Sequence, residues 1–309
     1  MRILIHAPEA QRWQAALRRE LHPVLPEADI VTTQDVGEMP ADLLVVWKPT
    51  ASLLTCQDDS LKAIFNAGAG VDALLSLPDL PDVPIVRLRD AGMGMLMADY
   101  ALYGILHFFR DMDRYRRQQI DQHWQEQPLA DRSAWRVGIL GLGTLGQVCA
   151  RRIRAQGFEV QGWSRSAKHL EDIDTHHGED GLTTLLKTSQ VIVGLLPDTP
   201  DTRGLLNEQR LSRLPEGAVV INAGRGTTLD PDALLALVES GHLRGAMLDV
   251  FPEEPLPVQH PLWQDHRVIV TPHIAAPTDV NAGARQFAAD ILALTRGDPI
   301  ETVDLSTGY

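Results

Sequence analysis

Residues 136–140, Arg-Val-Gly-Ile-Leu, run without a break into Gly141-Leu142-Gly143-Thr144-Leu145-Gly146. A short apolar run that ends in three glycines at this spacing leaves few choices. It reads as a buried strand turning into a helix that continues through Ile153. Gly141 permits the tight turn, Gly143 lets the backbone come close to a pyrophosphate, and Gly146 lets the helix pack close to the strand. The N–H groups of the first helical turn, at Thr144 and Leu145, then face the phosphates. The loop therefore predicts a parallel α/β domain that binds a dinucleotide.

The rest of the chain repeats the pattern. Strand-like runs at 2–6, 29–32, 43–47, 61–66 and 83–87 precede the loop, with a helical stretch at 9–21. Further runs at 159–163, 191–195, 218–222, 245–250 and 268–270 follow it. Short connections between such runs imply parallel sheets covered by helices. The expected fold is α/β, with two Rossmann-like or flavodoxin-like domains and an active-site cleft between them. The length of 309 residues suffices for both. Residues 97–124 keep a helical period throughout. That long helix joins the domains, packs against a second subunit, or does both. A last helix at 280–296 crosses back to the first domain. The expected division is 1–98 with 276–309 against 99–275. Asp230 as N-cap, Pro231 at the first helical position and Gly241 beyond the end mark one more helix.

Charge and cysteine content narrow the partners. The net charge of −13 argues against a nucleic acid, whose phosphates demand a basic face. An anionic substrate gains nothing from the global field, so a few local cations must attract it. The two cysteines, Cys56 and Cys149, suggest no disulfide framework and fit a reducing compartment. No apolar run approaches the ~20 residues of a membrane helix. The start at Met1 reads as a buried strand, not a signal peptide. The expectation is a cytoplasmic protein. No spacing of His, Cys, Asp and Glu suggests a metal site. His176 and His177 have no matched partners and read as surface residues.

The strand after the glycine loop bears on the cofactor. NAD-binding versions place an acid at its end, about 20 residues beyond the loop, to accept from the ribose 2′-OH. Here the strand ends in Trp163-Ser164-Arg165-Ser166. A carboxylate there would repel a 2′-phosphate, whereas Arg165 pairs with one and Ser164 and Ser166 donate to it. NADPH is expected over NADH, which stays possible.

Three later strands end in residues suited to hydride chemistry. Asn222-Ala223-Gly224-Arg225-Gly226 sets an arginine in a glycine-flanked turn. Asp249-Val250-Phe251-Pro252-Glu253-Glu254-Pro255 holds acids in a proline-restrained loop. Thr271-Pro272-His273-Ile274-Ala275 fixes a histidine just past a strand. In open α/β sheets such strand ends line the ligand crevice.

In order and spacing these segments, with the glycine loop, resemble the D-isomer-specific 2-hydroxyacid dehydrogenase family along essentially the whole chain. Ala69-Gly70-Val71-Asp72, Trp163-Ser164-Arg165-Ser166 and Gly245-Ala246-Met247-Leu248-Asp249-Val250-Phe251 look most like the branch that reduces glyoxylate and hydroxypyruvate. The resemblance implies that Arg225 clamps the substrate carboxylate and the 2-oxo oxygen. It makes His273 the proton donor, with Glu254 on the other ring nitrogen to stabilise the imidazolium. Glu254 is preferred to Glu253 because the family's acid directly precedes the proline. The substrate carboxylate falls to the backbone N–H groups of Ala69, Gly70 and Val71, a turn of small residues suited to an anion. Trp47 and Met93 form an apolar wall, although Trp47 fits a core position equally well. Leu196, Pro197, Ala223 and Asp249 contact the cofactor, and Asp249 fits a purely structural role equally well. The implied partners are a small 2-oxo acid and a second copy of the chain. Two alternatives stay open: a relative acting on a different or bulkier 2-oxo acid, and a dinucleotide-sensing binding protein.

Overall fold

The computed structural model describes residues 1–305. The chain divides into two compact units, Met1–Gly92 with the C-terminal stretch from Thr278, and Met93–Pro277. The first break thus falls six residues before the expected one at 98/99, and the second falls two residues after 275/276. Ala91 (φ 45°) and Gly92 (φ 83°) take left-handed conformations that end the first unit's chain, so the next helix starts at Met93 rather than 97.

The first unit alternates strands and helices: β1 (Arg2–His6), α1 (Ala10–Leu21), β2 (Asp29–Thr32), α2 (Thr33–Val36), β3 (Leu43–Val46), α3 (Ala51–Thr55), β4 (Ala63–Asn66), α4 (Asp72–Leu75) and β5 (Ile85–Arg87). Its strands lie in the order β2-β1-β3-β4-β5, all parallel, which is the flavodoxin-like winding. Every residue of β3 and β4 is buried, as central strands covered on both faces must be.

The second unit holds α5 (Met93–Phe109), α6 (Met112–Ile120), β6 (Val137–Leu140), α7 (Thr144–Ala155), β7 (Val160–Ser164), β8 (Asp174–His177), α8 (Gly178–Thr188), β9 (Val191–Gly194), α9 (Glu208–Leu211), β10 (Ala218–Asn222), α10 (Pro231–Glu239), β11 (Leu243–Leu248) and β12 (Val268–Val270). The sheet order is β12-β11-β10-β9-β6-β7-β8, again parallel throughout. The winding reverses between β6 and β9. Ligands of such sheets bind outside the strand ends at that reversal. The signals read for α10 appear as such: Asp230 accepts from Asp232 N and Ala233 N, and Gly241 has φ 81°.

The chain then returns to the first unit as α11 (Val280–Arg296), capped by Asp279 and ended by Gly297 at φ 75°. Its Phe287 stacks on Trp13 with centroids 5.6 Å apart and meets Phe65 edge-on at 5.2 Å. Arg89 reaches Asp290 at 3.1 Å.

Two sequence expectations fail here. The helix over 97–124 is two helices, α5 and α6, broken at Asp111, which is left-handed at φ 54°. Arg244 of β11 holds that break, with Nη2 2.7 Å from Asp111 and 2.6 Å from Asp113. The unpredicted strand is β8. It carries no buried residue, so no apolar alternation marks it, yet it pairs with β7 along Gln161–Ser164. His176, read as a surface residue, is half-buried there, with its ring nitrogen 3.0 Å from Gln161 Oε1.

Candidate active site

The loop after β6 opens the site of the second unit. Gly141 has φ 106°, a conformation that side chains rarely adopt. A Cβ at Gly146 would lie 1.8 Å from the Gly141 carbonyl oxygen, so only glycine lets α7 sit this close to the turn. A Cβ at Gly143 would meet no described atom within 4 Å. The backbone before Thr144 and Leu145 therefore stands clear, and glycine offers the helix no side-chain cap. A turn this tight, opening onto the start of a twelve-residue helix, fits a pyrophosphate. The β9 loop meets it, since a Cβ at Gly141 would lie 2.9 Å from the Leu195 carbonyl. Leu196 and Pro197 follow, so the loops converge at the reversal of winding.

At the end of β7, buried Ser164 donates its Oγ to the Ser166 carbonyl at 2.8 Å. Arg165 projects outward and pairs with Asp201 at 3.1 Å. Asp201, from the β9 loop, was not foreseen, because a single acid in a polar loop gives no sequence signal. The strand end carries the Arg165 cation and the Ser166 hydroxyl, a set that fits a phosphate better than a ribose hydroxyl, whereas the Ser164 hydroxyl, expected to donate to it, is spent on the Ser166 carbonyl.

The loops after β10, β11 and β12 form one connected system. Ala223 N donates to the Gly194 carbonyl at 3.0 Å. A Cβ at Gly224 would lie 2.7 Å from Leu196 N, and one at Gly226 would lie 1.9 Å from the Phe251 carbonyl carbon. Arg225 is thereby fixed between the β9 and β11 loops. The Asn222 amide donates to its carbonyl at 3.2 Å and Thr228 Oγ1 at 2.7 Å, while Arg225 Nη1 donates to Gly224 O at 2.8 Å. Asp198 lies near. Burial alone would raise its carboxyl, but the bonded Arg203 guanidinium and the charge of Arg225 hold it below the usual carboxylate range.

Glu254 uses both oxygens. Oε1 accepts from Phe251 N at 3.1 Å, and Oε2 lies 2.9 Å from His273 Nδ1. His273 is 43% exposed at its side chain, with φ 56° in a non-glycine residue. Such backbone persists only where surroundings over-determine it, and it clusters at functional sites. The surroundings are visible here. His273 N donates to the Asp249 carbonyl at 2.9 Å. The Asp249 carboxylate, 1% exposed, accepts from Thr271 Oγ1 at 2.7 Å, Ile274 N at 2.8 Å and Ala275 N at 2.7 Å. Those bonds tie Asp249 into the turn that carries the imidazole. Tyr100 of α5 extends the chain, its hydroxyl 2.7 Å from Thr271 Oγ1. Burial, together with the Asp249 charge, pushes the Tyr100 hydroxyl well above its ordinary value, so it stays protonated. Nothing in the helical period over 97–124 sets Tyr100 apart.

In the first unit, the turn Ala69-Gly70-Val71 follows β4. The Trp47 ring lies against Gly68, where a Cβ would fall 2.0 Å from it. Trp47 is half-buried, with one side on this turn. Asn66, at the end of β4, bonds to the same turn and was missed, since nothing separates one buried strand-end amide from another in sequence.

Comparison with known proteins gives a consistent picture. Residues 102–275 match the family model for the D-isomer specific 2-hydroxyacid dehydrogenase NAD-binding domain. Among solved structures, a D-isomer specific 2-hydroxyacid dehydrogenase from Xanthobacter autotrophicus, in complex with NADPH and MES, is 38% identical. It is matched over 99% of both chains with a TM-score of 0.93. An NADPH-dependent glyoxylate/hydroxypyruvate reductase from Sinorhizobium meliloti, in complex with NADP and sulfate, is 34% identical over 100% of this chain and 99% of that one, with a TM-score of 0.91. A probable 2-hydroxyacid dehydrogenase from Rhizobium etli, in complex with NADP, HEPES and L(+)-tartaric acid, is 31% identical over 99% of each chain, with a TM-score of 0.88.

Proposed function

The chain belongs to the D-isomer-specific 2-hydroxyacid dehydrogenases, and from that premise we propose that it uses NADPH to reduce a small 2-oxo acid, glyoxylate or hydroxypyruvate. The observation that carries the reading is the Glu254–His273 pair, 2.9 Å apart on adjoining loops of the dinucleotide-binding sheet. With Nδ1 turned to the carboxylate, Nε2 is the nitrogen left for the substrate oxygen. When bound, the nicotinamide supplies a hydride to the 2-oxo carbon. His273 gives its proton to the oxygen as the C–O double bond becomes a C–O–H single bond, and Glu254 stabilises the imidazolium beforehand. Arg225 offers a planar fork to the carboxylate and the 2-oxo oxygen, which orients and polarises the carbonyl. Asp249 with Thr271 and Tyr100 keeps the imidazole loop in place.

The cofactor preference rests on Ser164, Arg165 and Ser166, which put no acid at the end of β7. The glycine loop with Thr144 and Leu145, and Leu196, Pro197, Ala223 and Asp249 at the neighbouring strand ends, would hold the rest. The substrate carboxylate is assigned to the amides of Ala69, Gly70 and Val71, with Trp47 beside them. The preference for glyoxylate or hydroxypyruvate is supported by the Sinorhizobium meliloti likeness, a protein of that activity at 34% identity. Initial rates of NADPH oxidation with 2-oxo acids of increasing size test the reading. Rates highest with the largest acids would defeat the substrate assignment.

The reading includes a homodimer. Apolar side chains stand exposed on α5, α6 and the segment after them, among them Tyr103 at 56%, Ile120 at 68%, Trp124 at 97% and Leu129 at 87%. Exposed apolar groups of this number on one stretch of chain suit a protein contact. It also includes a reducing, cytoplasmic setting, supported by Cys56 and Cys149, which form no disulfide.

A further inference from the structure

Asn66 is the last residue of β4 and is 2% exposed. Its side-chain nitrogen donates to two backbone carbonyls of the following turn, Gly68 O at 2.9 Å and Gly70 O at 2.9 Å. Both partners are acceptors, so the amide nitrogen, and not the oxygen, must face them. The Gly68 carbonyl is held from a second side by Leu88 N of the chain leaving β5, at 3.2 Å. The carbonyl before it, at Ala67, receives Thr278 Oγ1 at 3.3 Å.

These bonds fix which way the turn's donors point. In a trans peptide the C=O and the N–H of the next residue point in opposite directions. The only cis bond among the described residues is Glu254–Pro255, so both peptides concerned are trans. Drawing the Gly68 carbonyl inward to Asn66 turns the Ala69 N–H outward. Drawing the Gly70 carbonyl to the same nitrogen does the same for the Val71 N–H. One buried amide thus sets two donors, two residues apart, on the side away from the strand. A side chain that only filled space would leave the Gly70–Val71 peptide able to rotate and the Gly68–Ala69 peptide held by Leu88 N alone, since small residues at Ala69 and Gly70 oppose rotation weakly.

We infer that Asn66 is a positioning residue for the anion-binding turn: by holding the carbonyls of Gly68 and Gly70 it aims the amides of Ala69 and Val71 at the carboxylate of a 2-oxo acid. The inference rests on the assignment of that turn to the substrate carboxylate. It predicts that loss of the side-chain donor weakens the binding of the acid while sparing the dinucleotide and the hydride step, which belong to residues of the second unit.

The test compares Asn66→Ala and Asn66→Ser with the wild-type enzyme. Wild-type NADPH oxidation with glyoxylate, hydroxypyruvate and pyruvate comes first; if none is turned over, the functional reading fails before Asn66 is at issue. Given turnover, KM for the acid and the inhibition constant of oxamate, an unreactive analogue, should rise about tenfold in Asn66→Ala. A tenfold change corresponds to about 1.4 kcal/mol. KM for NADPH and kcat at saturating acid should stay within about twofold of wild type. Asn66→Ser keeps one hydroxyl donor and should fall between. If the alanine variant does not fold, the serine variant alone decides. Unchanged KM and oxamate inhibition in a folded variant, even with a lowered melting temperature, would show a structural role only and overturn the inference. Equal loss in kcat and in NADPH affinity would overturn it too.

Discussion

His273 holds a left-handed backbone at φ 56° because its neighbours leave no alternative: its N–H is taken by the Asp249 carbonyl and the next two N–H groups by the Asp249 carboxylate. The geometry aims Nδ1 at Glu254 and leaves Nε2 for chemistry. Replacing His273 by alanine should lower kcat by roughly a hundredfold or more, the usual worth of a general acid. Reduction consumes a proton from the imidazolium, so wild-type kcat should decline as pH rises. The variant should lose that dependence, and a pH profile of kcat that keeps its shape would remove His273 from proton transfer. Arg165 makes a prediction of a different kind. Arg165→Ala should raise KM for NADPH roughly tenfold, as expected for loss of a charge-assisted contact to phosphate, and leave KM for NADH alone. Equal effects on both cofactors would show that Arg165 does not read the 2′-phosphate. The three glycines were legible in the spacing of their own loop, and Arg225, Glu254 and His273 through the resemblance of their strand-end segments to a known family. Asp201, Tyr100 and Asn66 were not. Each depends on a partner distant in sequence or on a carbonyl direction that only the folded chain defines.

At the scale of elements, apolar periodicity located most strands to within a residue or two. It failed where periodicity was the wrong signal. The polar strand β8 is held by backbone pairing with β7 and by Gln161 against His176. The break between α5 and α6 hides inside a continuous helical pattern because its cause is Arg244, more than a hundred residues away on β11. Side chains of Arg244, Asp111 and Asp113 are 14%, 11% and 16% exposed, so this is a largely buried ion cluster. Removing Arg244 strands Asp113 and leaves Asp111 only the exposed Arg114 at 3.3 Å. Arg244→Ala should therefore cost about 3–5 kcal/mol of stability, as for other buried pairs broken on one side. Urea unfolding of the two proteins measures it, and a difference below about 1 kcal/mol would mean that water already screens the cluster.

For the whole molecule, the proposed chemistry falls to the carboxyl ends of parallel strands, and a net charge of −13 leaves substrate capture to local groups. The exposed apolar side chains of the α5–α6 region predict a dimer. Sedimentation velocity should give about twice the 34.1 kDa chain mass, and Trp124→Glu should shift it toward the monomer. A wild-type monomer at micromolar concentration would refute that part of the account. The central claim is that this chain passes a hydride from NADPH to a small 2-oxo acid held by Arg225. Initial rates of NADPH oxidation with glyoxylate test it most directly, measured for the wild type and Arg225→Ala beside an NADPH binding titration of each. The account predicts turnover in the wild type, at least a hundredfold less in the variant, as for loss of an oxyanion-stabilising donor, and the same NADPH affinity in both. Equal turnover in the two proteins, or none in either with any 2-oxo acid, would contradict it.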